Sequence, residues 1–308
     1  MDYKHTFNLL ILGLLLLLPA SLLQADEVSE SGDSELESFF AISLIGGVSE
    51  TNQLDQNFNR VNTTESFLAV NLEMQLRWKG FFYENPGNSQ ENVDGLFSGD
   101  AIGYNFYNTR NWAVDLYAVH AHGGGEFVFD GIEQLYDEEG EPAGINVHRL
   151  TLPRDSNYRL GVRATGYFSD YLMQFIATPV SFEDEIGGFG LSASIRRTWL
   201  YKNWNFYGTV GLNYQSSDII DYYWGLSDSE SAQIEDHMRR TDTPYKPYEA
   251  DGGVMAVGQV GFEYPLTEHL VFGGFITSVL RPDAVTDSPL SSEGRLVSTA
   301  GLSVTYVF

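Results

Sequence analysis

The stretch "FLAVNLEMQLRWKG", residues 67–80, restricts the fold of this chain more than any other. Leu68, Val70, Leu72, Met74, Leu76 and Trp78 fall on one side of an extended backbone, and Ala69, Asn71, Glu73, Gln75 and Arg77 on the other. At about 3.3 Å per residue the segment is long enough to cross a bilayer at the usual strand tilt. A strand of a soluble sandwich would be shorter, about 5–6 residues. The register is tightly specified: a slip of one residue would turn Glu73 and Arg77 into lipid, and Arg near the midplane costs about 2–4 kcal/mol. The polar face must therefore meet water or other polar side chains inside a closed barrel.

Several later segments repeat the alternation. "YRLGVRATGYF" sets Tyr158, Leu160, Val162, Ala164 and Phe168 against Arg159, Arg163 and Thr165. "FGLSASIRRTW" sets Phe189, Leu191, Ala193 and Ile195 against Ser192, Ser194 and Arg196. "WNFYGTVGLNYQ" and "VMAVGQVGFEY" behave alike, the second carrying Gln259 and Glu263 on its polar face. The chain ends "RLVSTAGLSVTYVF", with Ala300, Leu302, Val304, Tyr306 and Phe308 at every second position. Two segments resist the pattern: "LVFGGFITSVL" is apolar on both faces, and "GFFYEN" is short.

The N-terminal "MDYKHTFNLLILGLLLLLPASLLQADEVSE" has Lys4 and His5, an apolar run, Pro19 and then small Ala25, the layout of a secretory signal cleaved between Ala25 and Asp26. An uncleaved anchor is the rival reading, but the run falls short of the roughly 20 residues a spanning helix needs. The expected organisation is a signal peptide over residues 1–25, an acidic periplasmic tail over 26–38, and a barrel over 39–308. With no Cys, the chain has neither a disulfide framework nor a lipidated N-terminus. A formal net charge of −25 argues against nucleic acid, because phosphate binding requires the opposite sign. After the signal no apolar run approaches a spanning helix, which leaves a soluble all-β protein or an outer-membrane barrel.

Connection lengths decide between them. Short links fall at residues 79–80, 108–111, 169–170, 201–203 and 265–269. Longer ones fall at 49–66, 85–95, 123–157, 216–252 and 282–294, with a modest one at 183–187. Alternating short turns and long loops is the asymmetry of outer-membrane barrels, turns in the periplasm and loops outside. The expected fold is an all-β, antiparallel transmembrane barrel of about twelve strands, with both chain ends in the periplasm. Trp78, Trp112, Trp199 and Trp204 lie beside short links, as a periplasmic aromatic girdle would, whereas Trp224 lies in a long loop. Phe308 fits the C-terminal signature of barrels awaiting insertion by the barrel assembly machinery. The expected lumen charges are Glu73, Arg77, Arg159, Arg163, Arg196 and Glu263, either lining a narrow pore or pairing across a mostly filled interior.

Signs of catalysis are weak. His120 and His122 share a face at a strand end, which suits metal ligation, but no third ligand accompanies them and interfacial polarity explains them as well. No nucleophile elbow or local Ser/His pairing is present, so no enzyme activity is expected. "GGG" at residues 123–125 precedes no helix and is not a phosphate loop. The acidic runs "DEVSESGDSELE" and "YDEEGEPAG" lack the ligand pattern of a calcium loop and read as solvated, mobile segments. No cofactor or metal is expected. Partners would be membrane lipid and lipopolysaccharide, the latter through bridging divalent cations.

"IGYNFYNTRNW", "DYYWGLS" (Asp221, Tyr222, Tyr223 and Gly225 among them), "YKPYEADGG" (with Asp251 and Gly253) and "TDSPL" stand in order before a final strand ending Tyr-x-Phe. Together they resemble the MipA/OmpV family of Gram-negative outer-membrane proteins, the MltA-interacting proteins. The match is most specific from about residue 221 onward. The resemblance implies a non-enzymatic scaffold that brings a lytic murein transglycosylase together with a peptidoglycan synthase. Other members are described as porin-like or adhesive, so a channel or an adhesin acting through long acidic loops is the alternative. The family implies no catalytic residues, and "DYYWG" would order an extracellular loop.

Overall fold

A computed structural model describes residues 36–54, 60–85, 100–121, 125–136, 142–155, 157–183, 186–238, 243–291 and 294–308. The signal segment, nearly all of the acidic tail, His122 and most of "YDEEGEPAG" lie outside the described residues. The strands are β1 (Glu37–Leu54), β2 (Arg60–Trp78), β3 (Phe81–Asn85), β4 (Ala101–Asn108), β5 (Trp112–Ala121), β6 (Gly125–Tyr136) and β7 (Pro142–Arg154). They continue as β8 (Asn157–Phe168), β9 (Tyr171–Ser181), β10 (Gly190–Tyr201), β11 (Trp204–Gln215), β12 (Gly253–Pro265), β13 (Leu270–Leu280) and β14 (Leu296–Val307). Twelve of them close into one antiparallel barrel in which β1 pairs with both β2 and β14, and β5 pairs directly with β8. The omitted pair, β6 and β7, forms a separate two-stranded hairpin.

The period-two pattern becomes two surfaces. Leu68, Val70, Val162, Val210, Val260 and Leu302 are exposed on the outer wall, Leu68 at 76 %. Their alternates Asn71, Thr165, Thr209, Asn213 and Ser303 are buried inside. A soluble protein would not turn this many large apolar side chains to water; a barrel with lipid as its outer solvent must. The two resistant segments are strands as well. In β13, Ile276 and Leu280 face outward, while Thr277 faces in and bonds Gln259 at 3.0 Å. Phe275 also faces in, its ring lying where a side chain on Gly301 of β14 would have to go. "GFFYEN" becomes the five-residue β3, with Phe82 buried inside and Phe81 outside.

Short turns join the strands at one end. Two of them are closed by residues in the left-handed region: Lys79 (φ 49°) with Gly80 (φ 85°), and Lys202 (φ 53°). A third carries Ser169 at φ 55°. Positive φ twists a two-residue hairpin to match the strands it joins.

At the other end the described long links differ from a reading as open loops, whereas the link expected at 85–95 lies, after Asn85, outside the described residues. The link expected at 49–66 is largely strand, because the β1–β2 ladder runs on to Leu54 opposite Arg60. Within the link expected at 123–157, residues 125–136 and 142–154 are the paired strands of the β6–β7 hairpin. Residues 216–252 hold α1 (Ser217–Trp224) and α2 (Asp228–Met238), and residues 282–294 hold the one-turn α3 (Asp283–Thr286). Helix α2 starts on a capping box: Glu230 accepts from the Ser227 amide at 2.9 Å, and the Glu230 amide donates to Ser227 Oγ at 3.3 Å.

Candidate functional site: the loop-end cap and the barrel interior

The long links pack on one another. Phe129 and Leu152 of the hairpin meet Leu226, Ile234 of α2 and Leu290, with Tyr245 and Tyr248 beside them. Ile219 and Tyr223 of α1 pack on Ile186 of the β9–β10 link. On its other side α1 places Ile220 against Ala250 and Val285, the latter from the β13–β14 link. Helix α1 thus bridges the β9–β10 and β13–β14 sectors of the rim, and the three clusters form a cap at the loop end.

The motif residues hold this cap together. Asp221 Oδ1 accepts from the Ala250 amide at 2.7 Å, tying "DYYWGLS" to "YKPYEADGG". Leu226 and Tyr248 exchange backbone hydrogen bonds of 2.8 Å in each direction. Gly225 donates to Asp221 O, and a Cβ at Gly225 would sit 2.3 Å from that oxygen, so only glycine fits. Tyr222 Oη accepts from the Asp155 amide at 3.1 Å, and Tyr223 Oη donates to Asp155 O at 3.2 Å. Burial, with Tyr222 alongside, pushes the Tyr223 phenol up to about 12, so it remains a donor throughout the physiological range. Gly253 abuts Pro282 and Ile220, and Asp251 is exposed.

Arg154, at the end of β7, locks the hairpin to α2. Its Nη1 donates to Glu230 Oε1 at 2.8 Å and its Nη2 to Gly225 O at 3.1 Å. Burial works against the Glu230 carboxylate, but the bonds from Ser227 and Arg154 hold it below its ordinary range. Beside this lock lies a cavity of about 640 Å³, lined by Arg154, Asp221, Tyr222, Glu230, Tyr248 and Glu249 among others.

Inside the barrel the charges are paired unevenly. Arg163 is clamped between Glu84 of β3 and Asp115 of β5, its Nε donating to Asp115 Oδ2 at 3.0 Å. Asn105 Nδ2 donates to Asp115 Oδ1 at 2.7 Å, and the guanidinium lies over the rings of Phe82 and Tyr117, 5.1 and 5.3 Å from their centroids. Arg159, 1 % exposed, is paired with no carboxylate among the described residues; Nη2 donates to Thr178 O at 3.3 Å and Gly188 O at 2.5 Å, joining the wall to the β9–β10 link. Arg196 lies 4.1 Å from the Tyr207 ring centroid. Glu263 accepts from Asn205 Nδ2 at 3.1 Å, Glu73 is half-buried opposite Ala41, and Arg77 is exposed near the turn end, opposite Glu37. The interior is not wholly polar: Phe82, Ala101, Tyr117, Val119 and Ile176 form a buried apolar cluster beside Arg163.

Sequence reasoning missed Glu84 and Asp115. Glu84 lies in the strand whose faces were unassigned, and Asp115 alternates with apolar Tyr117 and Val119, which conceals a lumen face. A lone carboxylate at an inward position of a strand was the available signal.

Of the four residues expected to form a girdle, Trp78 ends β2, Trp112 opens β5, Trp199 lies near the end of β10 and Trp204 opens β11, all at the turn end. The Trp199 ring reaches diagonally over Gly208 of the adjacent strand, and the Trp112 ring over Gly166 directly opposite, each occupying space that a side chain there would need. In β14, Leu302, Val304 and Tyr306 face outward, Ala300 is half-buried, and the Phe308 amide donates to Phe40 O at 3.1 Å across the seam. His120 stacks on Tyr158, ring centroids 4.8 Å apart. Among the described residues no group of three or more His, Asp or Glu is arranged to hold a metal ion.

A closed twelve-stranded antiparallel barrel with an apolar outer wall defines the class: an outer-membrane β-barrel protein. The family model of MltA-interacting protein MipA matches residues 46–308, and the chain belongs to that family. The chain matches none of the curated proteins compared with it. Among solved structures it is similar to the NanC porin (7 % identity, 86 % of this chain and 98 % of that one, TM-score 0.38). It is also similar to OmpT of Vibrio cholerae (8 %, 90 % and 100 %, 0.38) and to the COG4313 outer membrane channel of Pseudomonas putida F1 (8 %, 92 % and 100 %, 0.36). Likeness at this level carries nothing about activity; the fold rests on the strand ladders above.

Proposed function

We propose that this protein is a non-enzymatic scaffold of the outer membrane, its loop end outside the cell and its turn end offered to peptidoglycan-remodelling enzymes in the periplasm. The partners this reading names are a lytic transglycosylase, after the family's description, together with a murein synthase. The observation that carries it is the placement of the chain ends. Glu37, where β1 begins, and Val307, where β14 ends, both lie at the turn end, which supports a tail that shares the compartment of the short turns. The packed cap and the ion-paired interior also favour a scaffold over an open channel.

The test is crosslinking in membranes followed by capture of the protein. Cell-wall enzymes should come with the full chain and be lost when residues 26–36 are deleted, while removal of residues 228–238 from the cap leaves capture intact. Capture indifferent to the tail, or dependent on the cap, rejects the scaffold. A second reading, an adhesin or porin-like protein acting through its loops, is favoured by the cavity in the cap, whose Tyr and carboxylate lining suits a ligand arriving from outside.

A further inference from the structure

The outer face of β10 runs Leu191, Ala193, Ile195 and then Arg197 and Trp199, so a guanidinium stands on the lipid-facing wall. Its register places it at depth: Arg197 is paired with Tyr171, the first residue of β9, and is therefore level with the Ser169–Asp170 turn. An outward Arg costs about 2–4 kcal/mol at the bilayer midplane but about 0–1 near the interface, so this position is tolerated only at the headgroup boundary.

The guanidinium is held there ready-made. Its Nε donates to Asp170 Oδ2 at 2.8 Å, and Tyr171 and Trp199 flank it with ring centroids at 5.1 and 5.3 Å. The Trp199 ring in turn packs over Gly208. Among the described residues neither Nη1 nor Nη2 has a hydrogen-bond partner, which leaves the outer fork of the guanidinium free. Farther along the same hairpin, Lys202 sits over the Tyr201 ring at 5.5 Å, and on another turn Lys79 sits over Trp78 at 5.1 Å, both exposed.

A chain with formal charge −25 thus carries cations backed by aromatic rings on its turn-end rim. We propose that this rim is a binding site for anionic phospholipid, with the free fork of Arg197 taking the phosphodiester of the headgroup and the rings beside it lying against the glycerol backbone. A fork of parallel N–H donors matches a phosphate oxygen pair in a way an ammonium does not. Zwitterionic lipid carries the same phosphate with a cation attached, so the preference is for a headgroup with net negative charge.

The experiment uses the full chain in detergent micelles, with retained lipid read by native mass spectrometry and barrel integrity by heat-modified gel mobility. Phosphatidylglycerol should be retained about tenfold better than phosphatidylcholine at equal mole fraction. Arg197→Gln should bring the two to parity with the barrel intact, and Lys202→Gln should cause a smaller loss. Asp170→Asn, which keeps an oxygen acceptor beside Nε but removes a negative charge near the headgroup, should keep or increase the preference with the barrel intact, and a preference that falls in it counts against the proposal. Equal retention of both lipids by the unaltered protein, an unchanged preference in Arg197→Gln, or equal occupancy by free inorganic phosphate overturns the proposal.

Discussion

At the scale of single residues, the barrel interior follows the cost of burying charge. Arg163 is almost wholly enclosed, and it is tolerable there because Glu84, Asp115 and two aromatic faces surround it. Removing the cation leaves two carboxylates facing each other with no counter-charge. Arg163→Ala is therefore expected to lower stability by about 3–5 kcal/mol, read from urea unfolding in detergent. Arg163→Ala with Glu84→Gln and Asp115→Asn should recover part of the loss, since the stranded charges are gone. If the single and triple variants unfold alike, the triad is not the constraint it looks to be. Both acids were hidden in the sequence because strand alternation reveals a polar lumen only where the lumen is polar. Near Asp115 the inward neighbours Tyr117 and Val119 are as apolar as the outward Leu116, so the two faces look alike.

At the scale of elements, strands and cap obey different logic, and this decides what a sequence reveals. Each spanning strand is amphipathic by itself, so its faces can be read from its own residues; "FLAVNLEMQLRW" fixes β2 without reference to any neighbour. The cap is not built that way. Its buried residues come one or two at a time from separate links: Ile186, Ile220, Val285, Phe129 and Ile234. Each link alone reads as a polar loop, and only their convergence makes a core. Ile234, fully buried in α2, is where that core is most sensitive. Ile234→Ala should cost the cap about 2–5 kcal/mol and expose residues 125–155 and 217–250 to protease, while the barrel keeps its heat-modified gel mobility. Acid should act on the same joint. Folding depresses the Glu230 carboxylate, so its contribution is complete above the unfolded value of about 4.3 and is lost as pH falls through the lower folded value. Cap proteolysis should accelerate below about pH 4, and Glu230→Gln should flatten that dependence. An acid-induced opening that persists in Glu230→Gln would place the titrating group elsewhere.

At the scale of the whole molecule, two solvents divide the structure. The outer wall is fit only for hydrocarbon, the rims for headgroups, and the cap and turns for water. The β1–β14 seam closes the wall so that no strand edge faces lipid there, which a spanning sheet requires because an unpaired amide in hydrocarbon costs several kcal/mol. The closed wall makes position, rather than residue type, the determinant of what a substitution does. Val260, near the middle of β12, points outward at 58 % exposure, and its neighbour Gln259 points inward to Thr277. Val260→Arg should destabilise the folded barrel by about 2–4 kcal/mol in a bilayer, while Val260→Leu is near neutral. In a micelle, which deforms around a charge, the arginine penalty should shrink. Both values come from reversible denaturant titration in the two media, followed by Trp fluorescence. Equal and small penalties in bilayer and micelle would mean that Val260 does not face a hydrocarbon slab, and the assignment of the outer wall to lipid would fail with it.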